Sequence, residues 1–214
     1  SNVVIDGSNN ATGGTGASNI VWRSALGKVS FEGVGILPNG VVYYGDENRP
    51  SSGTPGGAYF KFVPSVLRNP NAGSITNLAD SPLVSGSVYG LRLGLRSGGT
   101  DYGQGTQTGL GKWVFATSTP GDNLRALAAS LKLTGYYRPE DLAIDEVALD
   151  AGNVRWCGNN TGNEVDDLSY GETICLTDGT LAQAGTPNST PEVQYLVIGN
   201  PQLAMMDNIA YQPG

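Results

Sequence analysis

Val34-Gly35-Ile36-Leu37 and Val41-Val42-Tyr43-Tyr44 flank Pro38-Asn39-Gly40, and this stretch constrains the fold more than any other in the chain. β-Branched and aromatic residues favour pleated strands, and Asn-Gly supplies the positive φ that a tight hairpin turn needs. Strands joined this closely are antiparallel neighbours. The same pattern recurs downstream. Ala58–Val63, Gly86–Leu93, Lys112–Ala116, Val154–Cys157, Thr173–Leu176, Gln194–Ile198 and Asp207–Tyr211 all read as strands between clusters of turn residues. One segment breaks the pattern: Asp122–Leu131 carries apolar residues at helical spacing behind Asp122 and Asn123, either of which caps a helix.

With 32 glycines and only 14% charged residues, the 214-residue chain is no coiled coil or long-helix bundle. About ten to twelve short strands and one short helix in a connecting segment make it all-β, and a sandwich, a barrel or a propeller satisfies that count equally. No strict internal repeat chooses among them. The length predicts a single domain that buries roughly 70% of its unfolded surface. Residues 1–19, rich in Gly, Asn, Ser and Thr, read as a flexible N-terminal arm, leaving 20–214 as the domain. The chain opens Ser1-Asn2-Val3 and closes on a strand followed by a turn signal, so further chain is expected beyond it.

Charge narrows the function classes. Twelve Lys and Arg against nineteen Asp and Glu give a net charge of -7. That argues against nucleic acid, which is met with clustered basic side chains, and against anionic membrane surfaces. No apolar run reaches the roughly 20 residues of a membrane-spanning helix. The chain has no histidine, which removes the Ser-His-Asp triad and the usual zinc or copper ligand. A metal here is held by oxygen, which points to Ca²⁺ first.

Cys157 and Cys175 lie in two strands joined by a loop. They form either a disulfide, worth about 3 kcal/mol for a loop of this length in an oxidising compartment, or two buried thiols. The glycines at 103, 105, 109 and 111 do not make a dinucleotide fingerprint, since no helix opens behind them. Glu164, Asp166 and Asp167 read as a solvated acidic turn or a calcium loop without the EF-hand spacing. Asn10, Asn159 and Asn188 begin glycosylation triplets, which matter only in a eukaryotic secretory route.

Several of the other acids sit at strand ends beside turn residues. Glu32 follows Phe31, Asp46-Glu47 follow the Val41–Tyr44 strand, Glu140-Asp141 follow Arg138-Pro139, and Asp207 precedes Asn208. Carboxylates at strand ends that converge on one point bind hard cations; those that do not converge are turn formers.

Six short pieces, in order, resemble one family. Phe31-Glu32-Gly33-Val34 is similar to a His-Glu-Gly-Ala motif, and Tyr44-Gly45-Asp46-Glu47 to a strand ending in Gly-Asp-Asp. Tyr59-Phe60-Lys61-Phe62-Val63 resembles Val-Tyr-Lys-Phe-Val. Tyr137-Arg138-Pro139-Glu140-Asp141 resembles Asp-Arg-Pro-Glu-Trp, Gly158-Asn159-Asn160 resembles Thr-Asn-Asn, and Asp207-Asn208-Ile209-Ala210 resembles Asp-Asn-Leu-Ala. The family is the PhoX-type alkaline phosphatases and their DUF839 relatives. The resemblance implies a β-propeller, whole or partial, exported to the periplasm or outside the cell, hydrolysing phosphate monoesters with Ca²⁺ and Fe³⁺. It implies Glu32, Asp46, Glu140 and Asp207 as metal ligands and Arg138 as the catalytic contact to phosphate. Phe31 stands where the family has His, and Gly57 where it has a Glu ligand; the cysteine motif that holds iron has no counterpart. These losses favour calcium over iron. They also support a second expectation, a non-catalytic calcium-binding propeller that serves as a scaffold, adhesive or assembly module and self-associates through unpaired strand edges.

Overall fold

A computed structural model of the chain describes residues 4–5, 11–12, 21–49, 56–94, 107–162 and 170–212. Most of the expected N-terminal arm and the acidic turn at Glu164, Asp166 and Asp167 lie outside the described residues, apart from a two-residue pairing of β1 (Val4–Ile5) with β2 (Ala11–Thr12).

Nine strands make one antiparallel sheet. They are β3 (Val34–Ile36), β4 (Val42–Gly45), β5 (Tyr59–Pro64), β6 (Gly86–Leu93), β7 (Gly109–Thr117), β8 (Pro139–Ile144), β9 (Asn153–Asn160), β10 (Glu172–Thr180) and β11 (Glu192–Ile198). The order across the sheet is β3-β4-β5-β6-β7-β11-β10-β9-β8. The expected hairpin is present, with Gly40 at φ 87° and Val34 opposite Tyr44. Five strands form a first meander and four a second. They join where β7 meets β11 through only two residue pairs, Leu110 with Glu192 and Gly109 with Val193. At the other side the outermost strands, β3 and β8, approach one another, and Gly33 N–H donates to the Glu140 carbonyl at 3.3 Å. A Cβ at Gly33 would sit 2.1 Å from the Leu142 nitrogen, so only glycine permits this approach. The sheet is thus a nearly closed barrel.

Side-chain alternation fills both faces of the first meander. Tyr43, Tyr59, Leu91 and Trp113 point into the barrel, where Trp156, Ile174, Leu176 and Val193 from the second meander meet them. Their neighbours Val42, Tyr44, Phe60 and Phe62 point outward and are covered by Leu124 and Ala128 of α1 (Leu124–Ser130). Burial on both faces explains why β4 and β5 read as nearly continuous apolar runs.

One charged pair lies in the barrel interior. Lys61 and Asp178 have fully buried side chains 2.9 Å apart. The Lys61 ammonium also donates to the Thr186 carbonyl and Ser189 Oγ, and lies over the Trp113 ring. Asp178 accepts from Tyr43 Oη at 2.6 Å and Trp113 Nε1 at 2.9 Å. Burial lowers the Lys61 pKa, and the Asp178 charge works against that shift. Cys157 and Cys175 are direct cross-strand partners on β9 and β10 and are joined in a disulfide.

Two expectations are corrected. The connecting segments hold three α-helices among the described residues, not one. The additional α2 (Glu146–Asp150) is capped by the Asp145 carboxylate, and α3 (Leu181–Ala184) by a reciprocal Thr180–Gln183 capping box. Asp207–Tyr211 is not a strand. Its backbone bonds to side chains instead: Asn159 Nδ2 donates to the carbonyls of Asp207 and Asn208, and Ile209 N–H donates to Asp141 Oδ2.

Candidate metal centre

The barrel's seam carries an acidic cluster. Glu32 enters just before β3, Glu47 just after β4, and Glu140 is the second residue of β8. These strands are neighbours around the nearly closed sheet, so their ends come together. Each residue offers one carboxylate oxygen, and the three oxygens lie within 4.8 Å of one another. Ligands of one Ca²⁺, at about 2.4 Å from the ion, stand at most about 4.8 Å apart, so the trio fits around a single ion.

Glu32 is exposed, Glu47 half-buried, and Glu140 only 2% exposed. Burial therefore raises the Glu140 pKa, and the charges of Glu47 and Asp207 push the same way. A hydrogen bond from Thr161 Oγ1 at 2.8 Å and the Arg138 charge oppose the rise. The Arg138 Nε lies 3.0 Å from Glu47 Oε1 and 2.8 Å from Glu140 Oε1. Arg138 has a left-handed backbone at φ 62°, and the proline behind it disfavours the ordinary helical alternative. Its N–H donates to Asn48 O and Tyr136 O, and its carbonyl accepts from Thr161 N–H. The residue is therefore fixed at its root while its side chain lies between two carboxylates.

The other expected ligands are placed differently. The Asp46 carboxylate is buried and held by Arg125, Nε to Oδ2 at 2.8 Å and Nη2 to Oδ1 at 2.6 Å, with Ser30 N–H donating at 3.0 Å. It serves as the anchor between α1 and the end of β4. Its neighbour Glu47 enters the cluster, as expected when successive residues of extended chain point to opposite sides. Asp207 is exposed. Its charge acts on Glu140, but it stands outside the trio. A Cβ at Gly57 would meet the Asp46 carbonyl at 1.8 Å, so no carboxylate side chain fits there on this backbone. Thr161, absent from the expected set, contacts the most buried member of the cluster; the carboxylates alone do not point to it.

Comparison with protein-family models, with curated proteins and with solved structures gives no match for this chain.

Proposed function

We propose that this protein binds a hard divalent cation, Ca²⁺ first, between Glu32, Glu47 and Glu140. The observation that carries the reading is the convergence of three carboxylate oxygens from separate stretches of chain within 4.8 Å. Oxygen-only ligands and a net charge of -7 suit Ca²⁺. Fe³⁺ ranks second, because the chain has no histidine and both cysteines are in the disulfide. Titration calorimetry is expected to show one Ca²⁺ per chain, with Glu32→Gln and Glu140→Gln each weakening it at least tenfold. Unchanged affinity in both variants would overturn the site. The pH dependence has a fixed sign. Binding needs ionised Glu140, whose pKa is raised, so affinity falls on acidification starting above the ordinary carboxylate range. In Glu140→Gln that early loss disappears.

Around this site we read a calcium-binding module of an exported protein. The disulfide supports an oxidising compartment, periplasmic or extracellular. The PhoX-type resemblance implies a part-propeller architecture; the four-stranded meander β8 to β11 is shared with a propeller blade, but here it continues into β7 within one nearly closed sheet. Leu196 and Ile198 are more than half exposed on one side of β11, which supports an assembly or scaffold role.

Hydrolysis of phosphate monoesters is the second reading. The specific observation favouring it is the Arg138 guanidinium beside the carboxylates, since arginine is well suited to phosphate. A bound cation would neutralise charge on the phosphoryl group. On this reading a chromogenic monoester releases phosphate in the presence of Ca²⁺, and Glu140→Ala and Arg138→Ala abolish release. Calcium-loaded protein without turnover would leave only the binding function.

A further inference from the structure

We infer that a second copy of this chain docks on one exposed face, built from residues 21–23 and from the connection between β5 and β6. The inference stands apart from the cation reading. The connection, residues 65–85, holds no strand and only two single-turn 3₁₀ helices, Leu78–Asp80 and Pro82–Val84. Connections longer than about 12–15 residues without regular structure are uncommon, and an ordered one usually serves a function. This one carries apolar side chains that the fold leaves outside. Val66 is 77% exposed, and Leu67, Ile75 and Val84 are exposed with it. Val21 is exposed, and Trp22, the next residue, is 75% exposed. The surface is continuous, because Val84 lines both the hollow of Val66, Leu67 and Ile75 and the adjoining hollow of Val21. A contiguous exposed apolar patch marks a contact site.

Charge and area select a copy of the same chain as the occupant. With a net charge of -7, two copies repel over most of their surfaces. This face differs, because it carries both signs. Arg68 and Asp80 line the first hollow, and Arg23 lines the second. Both arginines bond to backbone carbonyls, Arg23 to Leu78 and Arg68 to Ala72 and Gly73; neutral carbonyls leave the positive charge standing. Paired about a two-fold axis, the face sets the arginines of one copy against Asp80 of the other. The protruding Trp22 beside the hollow likewise offers each copy a knob and a recess. The six apolar side chains expose on the order of 400 Å² per copy. With a polar rim of ordinary proportion, two copies then bury about 1,200 Å² in total, the low end of specific interfaces. The dimer is accordingly weak and reversible.

Sedimentation velocity of the full chain over a concentration series tests this. A monomer–dimer equilibrium with a Kd on the order of 10 µM is expected. Trp22 reports the contact directly, since Trp113 and Trp156 are buried: acrylamide quenching of its emission falls as the dimer forms. Val66→Asp and, separately, Trp22→Ser are each expected to weaken dimerisation at least about tenfold. Both positions are exposed, so the fold stays intact, and near-ultraviolet circular dichroism verifies it. Ile198→Asp, on the exposed side of β11, leaves the dimer unchanged and separates this face from that one. A monomer at every concentration overturns the second copy as occupant and leaves the face to a different chain. A dimer indifferent to Val66→Asp and Trp22→Ser, or one that Ile198→Asp abolishes, overturns the face. Growth beyond the dimer overturns the two-fold pairing.

Discussion

Asp178→Ala is expected to destabilise this protein by about 3–5 kcal/mol, the range for removing one partner of a buried ion pair. The loss is large because three donors are deprived of their acceptor at once. Lys61, Tyr43 and Trp113 all bond to the Asp178 carboxylate inside the barrel, and none of them has water to turn to. Lys61 then carries an uncompensated charge where burial already lowers its pKa. Urea unfolding followed by tryptophan fluorescence measures the effect, since Trp113 and Trp156 are both buried. Lys61→Met combined with Asp178→Leu is expected to recover only the part of the loss that comes from the stranded Lys61 charge, because Tyr43 and Trp113 still lack their acceptor. A cost below about 1 kcal/mol for Asp178→Ala would show that the interior is wetter or looser than these bonds imply.

Removing the disulfide, as Cys157→Ala with Cys175→Ala, is expected to cost about 3 kcal/mol for a sequence separation of 18. The two cysteines face each other in a β9–β10 ladder that is paired along most of its length. The native strands therefore stay in register without the bond, and the effect acts mainly on the unfolded chain, which regains loop entropy. Calcium affinity is expected to be unchanged, because neither cysteine touches the acidic cluster. A drop in the urea midpoint with the slope preserved fits this account; equal stability of the two proteins contradicts it.

How much of this was legible in the chain follows from the range of each signal. The β3–β4 hairpin was legible because Asn39-Gly40 encodes its turn locally. α1 was legible through its periodicity and its Asn123 cap, whose side chain accepts from Ala126 N–H. α3 carried a readable Thr180-x-x-Gln183 box, but at four residues it has no periodicity to draw attention. Closure of the sheet was not legible. The same alternation serves a barrel, a sandwich or a propeller, and what joins β3 to β8 is a hydrogen bond between Gly33 and Glu140, far apart in sequence. Two of the candidate ligands, Glu32 and Glu140, lie close together across the seam. Asp46 and Glu47 were separated only by the parity of one extended segment, and the partner that decides between them, Arg125, lies on a distant helix.

The thin β7–β11 join has a mechanical consequence. Two residue pairs there and one backbone bond at the β3–β8 seam leave the molecule as two fans with little ladder between them. The covalent cross-link does not tie them, because both its ends lie in the second fan. Lys61 on β5 and Asp178 on β10 do tie them. The halves are thus held by a shared apolar core with one ion pair inside it, sealed from solvent, so added salt should scarcely loosen them, whereas an uncharged substitution of one partner of that pair should weaken the hold from within.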